Sequence, residues 1–289
     1  MPVLTIARLT LREASRRRLL LAVAILTLVV AMLSAWGFHR LLTSNSCGNY
    51  PNVHPCSAAT LKVIASALLI LLAFMFSFVL ALGAAFLAAP SIAGDIESGI
   101  ALSMLPRPIR RSDVVLGKWL GFSALLALYA GIACGIEFVI SDIALNYVPP
   151  HPVIAVLFIV AEAVVVLTLT LLGSTRIPAI TCGIVVFVLF GMTWIGGIVG
   201  NVGATLHNST VQNIGTVSTL LFPTDGLWRG AIYNLEPLAT IVVGSEVPEA
   251  RANPFFVSDP PTTPYLLWSA AWVMLLLGAA TWSFYRREL

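Results

Sequence analysis

A chain of 289 residues that is 58% hydrophobic and 10% charged, with a mean hydropathy of +0.95, does not have the composition of a water-soluble domain, in which about a quarter of residues carry charge. Its formal net charge of +3 is small, and its basic residues hug the ends of apolar runs without forming one face, which excludes a nucleic-acid surface. The class that remains is an integral membrane protein.

In chain order, the stretch from Val3 to Arg18 places Val3, Ala7, Leu11 and Ala14 on one side and Arg8, Arg12 and Arg16 on the other. This predicts a basic amphipathic helix lying in the interface of an anionic leaflet. The apolar run from Leu19 to Phe38 follows Arg16, Arg17 and Arg18. It is longer than the roughly 7–15 residues of a signal-peptide core, so it predicts a first span that stays in place. Residues 39–60 are polar and turn-rich, with Asn45, Gly48, Asn49, Pro51, Asn52 and Pro55, and predict a compact outer loop. Further spans are predicted over residues 61–89, 114–140, 153–172, 177–200 and 265–285, giving an all-α single membrane domain of six transmembrane helices. Six spans put both termini on one side. On that side fall Arg8, Arg12, Arg16, Arg17, Arg18, Arg107, Arg110, Arg111, Lys118, Arg176, Arg286 and Arg287, which leaves only Arg40, Lys62, Arg229 and Arg251 of the 16 Lys and Arg opposite. This bias predicts cytoplasmic termini.

The charged island between the second and third spans, residues 91–118, carries the most specific signal. Pro90 is expected to end the preceding helix, because it has no N–H to donate and its ring clashes with the turn before it. A short helix from Ser91 to Leu105 would then show Ile92, Ile96 and Ile100 on one stripe and stop at Pro106 and Pro108. Ser112 or Asp113 would cap the next helix. The order Glu97, Gly99, Leu102, Leu105, Pro108, Arg111, Gly117, Lys118 resembles the signature of type-2 ABC exporter permeases. In that family a glutamate and a glycine open a coupling helix, a proline and an arginine close it, and a glycine and a lysine start the third span. Ile100 stands where many members have threonine.

The resemblance implies that the coupling segment, residues 91–113, docks in a groove of a separate ATPase subunit through Asp95, Glu97, Gly99, Leu102, Pro108 and Arg111. It also implies a first connecting helix at the interface, external helices before the last span, and two permease copies, as a homodimer, working with two ATPase subunits. Localisation would be the bacterial inner membrane, and the activity ATP-driven export of an unidentified substrate by alternating access. No GxxxxGK[ST] is present, since Gly117 and Lys118 lack the upstream glycine. ATP and magnesium therefore belong to the partner, and no cofactor is expected on this chain.

Between Asn201 and Pro264 the run FPTDGLWRGAIY offers Thr224 as an N-cap, with Leu227, Trp228, Ala231 and Ile232 on one face. It predicts an outer interfacial helix with Trp228 and Tyr233 at headgroup depth. Residues 237–244 are too short to span and predict a re-entrant or interfacial piece.

Few residues can carry chemistry. Cys47 and Cys56 share the first outer loop with His39 and His54. An oxidising exterior favours a disulfide, with free thiols and soft-metal capture by the Cys and His group as alternatives. Glu162 lies near the membrane midplane, where a carboxylate costs at least about 2.5 kcal/mol. It should face the protein interior, be protonated, or bond Thr or Ser on a neighbouring span. Glu137 and Asp142 end the third span, where charge is cheap. Gly196 and Gly200 make a GxxxG that suits close helix packing. The competing class is a membrane enzyme acting through Glu162 or the outer Cys and His group, or a non-transporting assembly protein. No HExxH or GxSxG supports an enzyme.

Overall fold

The computed structural model describes residues 2–15, 18–43, 58–97, 110–238, 240–241 and 253–287. The described helices are α1 (Pro2–Ser15), α2 (Arg18–Thr43), α3 (Ala58–Glu97), α4 (Arg111–Leu145), α5 (Pro152–Ser174), α6 (Ala179–Thr205), α7 (Ser209–Leu221), α8 (Asp225–Leu235) and α9 (Thr263–Tyr285). Six of them, α2 to α6 and α9, are long and apolar enough to cross a membrane, so the chain is a multi-pass membrane protein. The predicted spans and the six helices coincide in number and order.

α5 is the centre of the bundle, touching α3, α4, α6, α8 and α9. Its sequence is apolar on every face, and Ala155, Ile159, Ala163, Val166, Leu167 and Leu171 are all buried. Trp119 Nε1 ties α4 to it through the Thr168 hydroxyl at 2.9 Å. By contrast α2 packs chiefly against α4. Two polar rungs fix that contact, Thr27 Oγ1 to Tyr129 Oη at 2.7 Å and Ser34 Oγ donating to Glu137 Oε2 at 2.6 Å. Glu137 is thus buried, and the expectation of cheap interfacial charge there is corrected. α4 continues to Leu145, so Glu137 lies well inside the helix and faces α2.

α1 buries Ala7, Thr10 and Ala14, half-buries Val3 and Leu11, and turns Arg8 and Arg12 outward. It rests on α4 at Gly117 and Gly121, where a Cβ would press into Ile6 and the Val3 carbonyl, or into Thr10 and the Ala7 carbonyl. The close approach explains what a glycine at position 117 is for. Gly121, four residues on, completes a GxxxG with it.

Pro90 does not end its helix. α3 runs unbroken through it to Glu97, so no separate helix begins at Ser91. Leu87, Ala88, Ala89 and Ile92 are buried in the bundle core on both sides of the proline, so tertiary packing holds the helix through it. Here Ser91 Oγ donates to the Ala88 carbonyl at 2.6 Å, and the buried Lys118 ammonium of α4 donates to the Ser91 carbonyl. Arg110, in extended conformation, is the N-cap residue of α4, in place of Ser112 or Asp113, which already lie within the helix. Asp113 sits in the first turn, where its charge suits the helix dipole.

Candidate functional site

Two regions gather polar groups in this apolar molecule, one at each end of the bundle. At the end that holds the N-terminus, α3 carries the backbone of Asp95 and Glu97 out of the apolar core. Their side chains, and all of Gly99, Leu102 and Pro108, lie outside the described residues. Arg111 is described and turns inward to the fold. Its guanidinium donates to the carbonyls of Phe284, Tyr285 and Arg287 at 3.2, 3.1 and 2.8 Å, capping the end of α9. Nearby, Ser283 Oγ meets Thr175 Oγ1 at 2.8 Å and accepts from Arg176 Nε at 3.0 Å, while Arg287 donates to the Thr175 carbonyl. The result is a tied platform: α3 pinned by Lys118 of α4, α4 pinned to α9 by Arg111, and α9 pinned to the α5–α6 turn.

At the opposite end a cavity of about 660 Å³ opens between the α6–α7 hairpin, the start of α8, residues 256–262 and the start of α9. α7 lies in the segment where the resemblance implies external helices, though the sequence reading places no helix at these residues. Its signal was Asn208, whose side chain accepts from Thr210 N at 3.1 Å and Val211 N at 3.3 Å as an N-cap. Gly196 and Gly200 pack against this helix within the same chain, facing Ser218 and Gly215. α9 closes the hairpin from the side, with Trp268 Nε1 and Trp272 Nε1 donating to the Leu220 and Leu221 carbonyls at 2.9 and 3.0 Å.

The cavity wall is rich in neutral hydroxyls and amides, among them Asn201, Thr205, Gln212, Thr216 and Thr219. Its charged floor is Asp225 and Arg229, paired at 2.8 Å, with Arg229 also donating to the Gly197 carbonyl at 3.3 Å. A Cβ at Gly197 would occupy the space of the Asp225 carboxylate, so the glycine is the seat of that side chain. Burial raises the Asp225 carboxyl above its ordinary range, and the Arg229 charge draws it part of the way back.

Beneath the floor lies Glu162, 4% exposed, accepting from Ser77 Oγ of α3 at 2.8 Å. Of the alternatives expected for it, the interior position and a bond to serine on a neighbouring span are both present. Asp225 and Glu162 interact electrostatically, and both act on Tyr265 of α9. The sequence offered no way to see that pairing, because 63 positions separate the two acids.

α8 has the predicted apolar face, with Leu227, Trp228, Ala231 and Ile232 buried, and Thr224 precedes it as the N-cap residue without a side-chain cap bond. Trp228 does not face outward. It is 1% exposed, with its ring 5.6 Å from that of Phe74 in the core. At the far end of α8, Glu236 is buried, Oε2 has no partner, and burial pushes its carboxyl up to about 7 despite a hydrogen bond from the Val257 backbone. The neighbouring Tyr147 phenol, which donates to the Leu235 carbonyl at 2.8 Å, is pushed up by burial and then by the Glu236 charge.

A carboxyl that titrates higher folded than unfolded makes the native state bind more protons, so stability falls as pH rises from its ordinary 4.5 to about 7. Thermal unfolding of the detergent-solubilised chain should therefore show a midpoint that declines over that window. In Glu236→Gln the decline should be reduced, and an unchanged slope would show that Glu236 is not its source.

His39 lies on α2 and is exposed, whereas Cys47, His54 and Cys56 lie outside the described residues. Among the described residues no group of three or more His, Cys, Asp or Glu side chains gathers as for a metal ion.

Comparison with known proteins bears on the whole chain. A relative described as "Probable ABC transporter permease protein NosY" from Pseudomonas aeruginosa is 33% identical over 136 residues, covering 47% of this chain and 44% of that protein. One of the same description from Stutzerimonas stutzeri is 32% identical over 133 residues, covering 46% and 43%. The aligned stretch spans less than half the length of these curated relatives. The family described as "ABC-2 family transporter protein" matches residues 4–289. With that match across six membrane-spanning helices, the chain belongs to the ABC-2 transporter family.

Proposed function

We propose that this chain is the permease half of an exporter in the bacterial inner membrane, with both termini in the cytoplasm, driven by two copies of a separate ATPase and completed by a second permease copy. The observation that carries the reading is the tied platform at the basic end. A coupling segment must pass force to the spans without bending, and α3 enters that segment as a continuous 40-residue helix pinned by Lys118 and braced through Arg111. The 12-to-4 distribution of Lys and Arg supports placing this platform in the cytoplasm. Support for a second copy comes from α2, which leaves Leu21, Ile25, Leu28, Met32 and Trp36 exposed and packs chiefly against one neighbour. The polar cavity then faces outward, and the cargo moves from cytoplasm to exterior.

Single cysteines in a cysteine-free background test the orientation. A thiol at Ser112 should be shielded from impermeant reagent in intact cells and one at Asn208 labelled, and the reverse pattern would overturn it. Co-expression with the candidate nucleotide-binding subunit should yield a complex that survives purification, whereas isolation of permease alone under those conditions would count against ATPase coupling.

A further inference from the structure

Counting charge at the cavity floor leaves an imbalance. Asp225 and Glu162 lie on the packed helices α8 and α5, close enough to interact electrostatically, and Arg229 is the one cation bonded to either among the described residues. The cavity lining adds Asp259 and His207, and among the described residues the elements packed on α5 bring no further cation bonded to either carboxylate. α6 contains no acidic or basic residue, α9 brings only Tyr265, and α3 brings the neutral Ser77. On α4 the charged residues lie toward its ends, Arg111, Asp113 and Lys118 at one and Glu137 and Asp142 at the other, and Glu137 is engaged by Ser34 of α2. Two carboxylates and one guanidinium in a low-dielectric interior attract one further positive charge.

Size decides what that charge is. Glu162 is too enclosed to meet an organic ammonium, being 4% exposed. A metal ion needs several oxygen ligands, and the surroundings offer two carboxylates, one of them already held by arginine. A proton needs one oxygen. Ser77 donates to Oε2, which leaves Oε1 to receive it.

We propose that Glu162 is a proton-binding site loaded from the cavity past Asp225 and Tyr265, and that its occupancy sets whether α8 stays latched to α6. The proton comes from cavity water and binds a carboxylate oxygen, with no other bond made or broken. With Glu162 neutral, Asp225 keeps Arg229 clipped to the Gly197 carbonyl and the floor is closed. With Glu162 ionised, its charge repels Asp225 in the Gly197 seat and loosens α8. That the loading side is the cell exterior rests on the orientation proposed above.

Dicyclohexylcarbodiimide, which modifies protonated carboxyls in apolar surroundings, reads the site directly. The full chain in sealed vesicles is treated over pH 5–9 and the adduct at Glu162 measured by peptide mass spectrometry. Modification should fall about tenfold or more across the range, as a single titrating group requires. In Asp225→Asn, where the repelling charge is gone and Arg229 is released, the midpoint should move to lower pH. Clamping the two sides at different pH, with a cysteine at Asn208 marking the cavity side, separates the site from its orientation. Modification that tracks the Asn208 side supports the proposal whichever compartment that side faces. Modification that tracks the other side, is constant with pH, keeps its midpoint in Asp225→Asn, or is blocked by sodium at fixed pH overturns it.

Discussion

A Glu97→Lys, Gly99→Trp double variant is expected to reach the membrane in normal amount and to lose transport-linked ATP hydrolysis. α3 ends at Glu97, and its base is held by Lys118 and the α4–α9 ties, which neither substitution touches. Under the proposed coupling, lysine at 97 reverses the charge presented to an ATPase groove. A like-charge juxtaposition across an interface costs several kcal/mol, and about 3 kcal/mol is roughly a hundredfold in Kd. Tryptophan at 99 adds bulk where the resemblance places a glycine against the partner. Arg110→Ala is the matched control, since Arg110 is exposed and offers α4 no side-chain cap bond. Co-purification of the ATPase and its stimulated turnover are the measurements. A double variant that assembles and transports at the wild-type rate would remove the coupling role from these residues.

What the sequence disclosed, and what it withheld, follows from the range of the forces involved. Spans are set by local hydropathy, so six of them could be counted from composition alone, and the stripe Val3, Ala7, Leu11, Ala14 already defined the face of α1. Pro90 misled because the rule that breaks a helix weighs only the local chain, whereas α3 is packed into the bundle core on both sides of the proline. Trp228 misled for a related reason. An indole in an outer helix suits a headgroup, but Phe74 of α3 and the packing of α8 on α5 draw it into the core. The Glu162 environment was half visible: its depth demanded an interior partner, yet neither Ser77 nor Asp225 could be named from spacing, because both arrive through tertiary contacts. Gly196 and Gly200 announced a close helix contact without saying that the partner was the next helix in the chain.

That hairpin yields the largest expected loss of stability. A methyl at Gly215 of α7 would lie against the Gly200 Cα, 2.8 Å from the Gly200 nitrogen and 2.9 Å from the Gly196 carbonyl oxygen. All three are backbone atoms of α6, so no rotamer change can relieve the overlap, and the two helices must move apart. Inserting side-chain volume into a packed contact typically costs about 1–3 kcal/mol, and a backbone-to-backbone contact belongs at the upper end of that range. Gly215→Leu should therefore lower the thermal midpoint of the solubilised permease by several degrees. It should also raise the thiol accessibility of a cysteine at Thr219, on the cavity wall. Gly278→Leu on α9, where nothing lies within 4 Å of the added Cβ, should leave the midpoint unchanged or slightly higher, because leucine is the better helix former. If the two substitutions shifted the midpoint equally, the cost would come from the residue type and not from the α6–α7 contact.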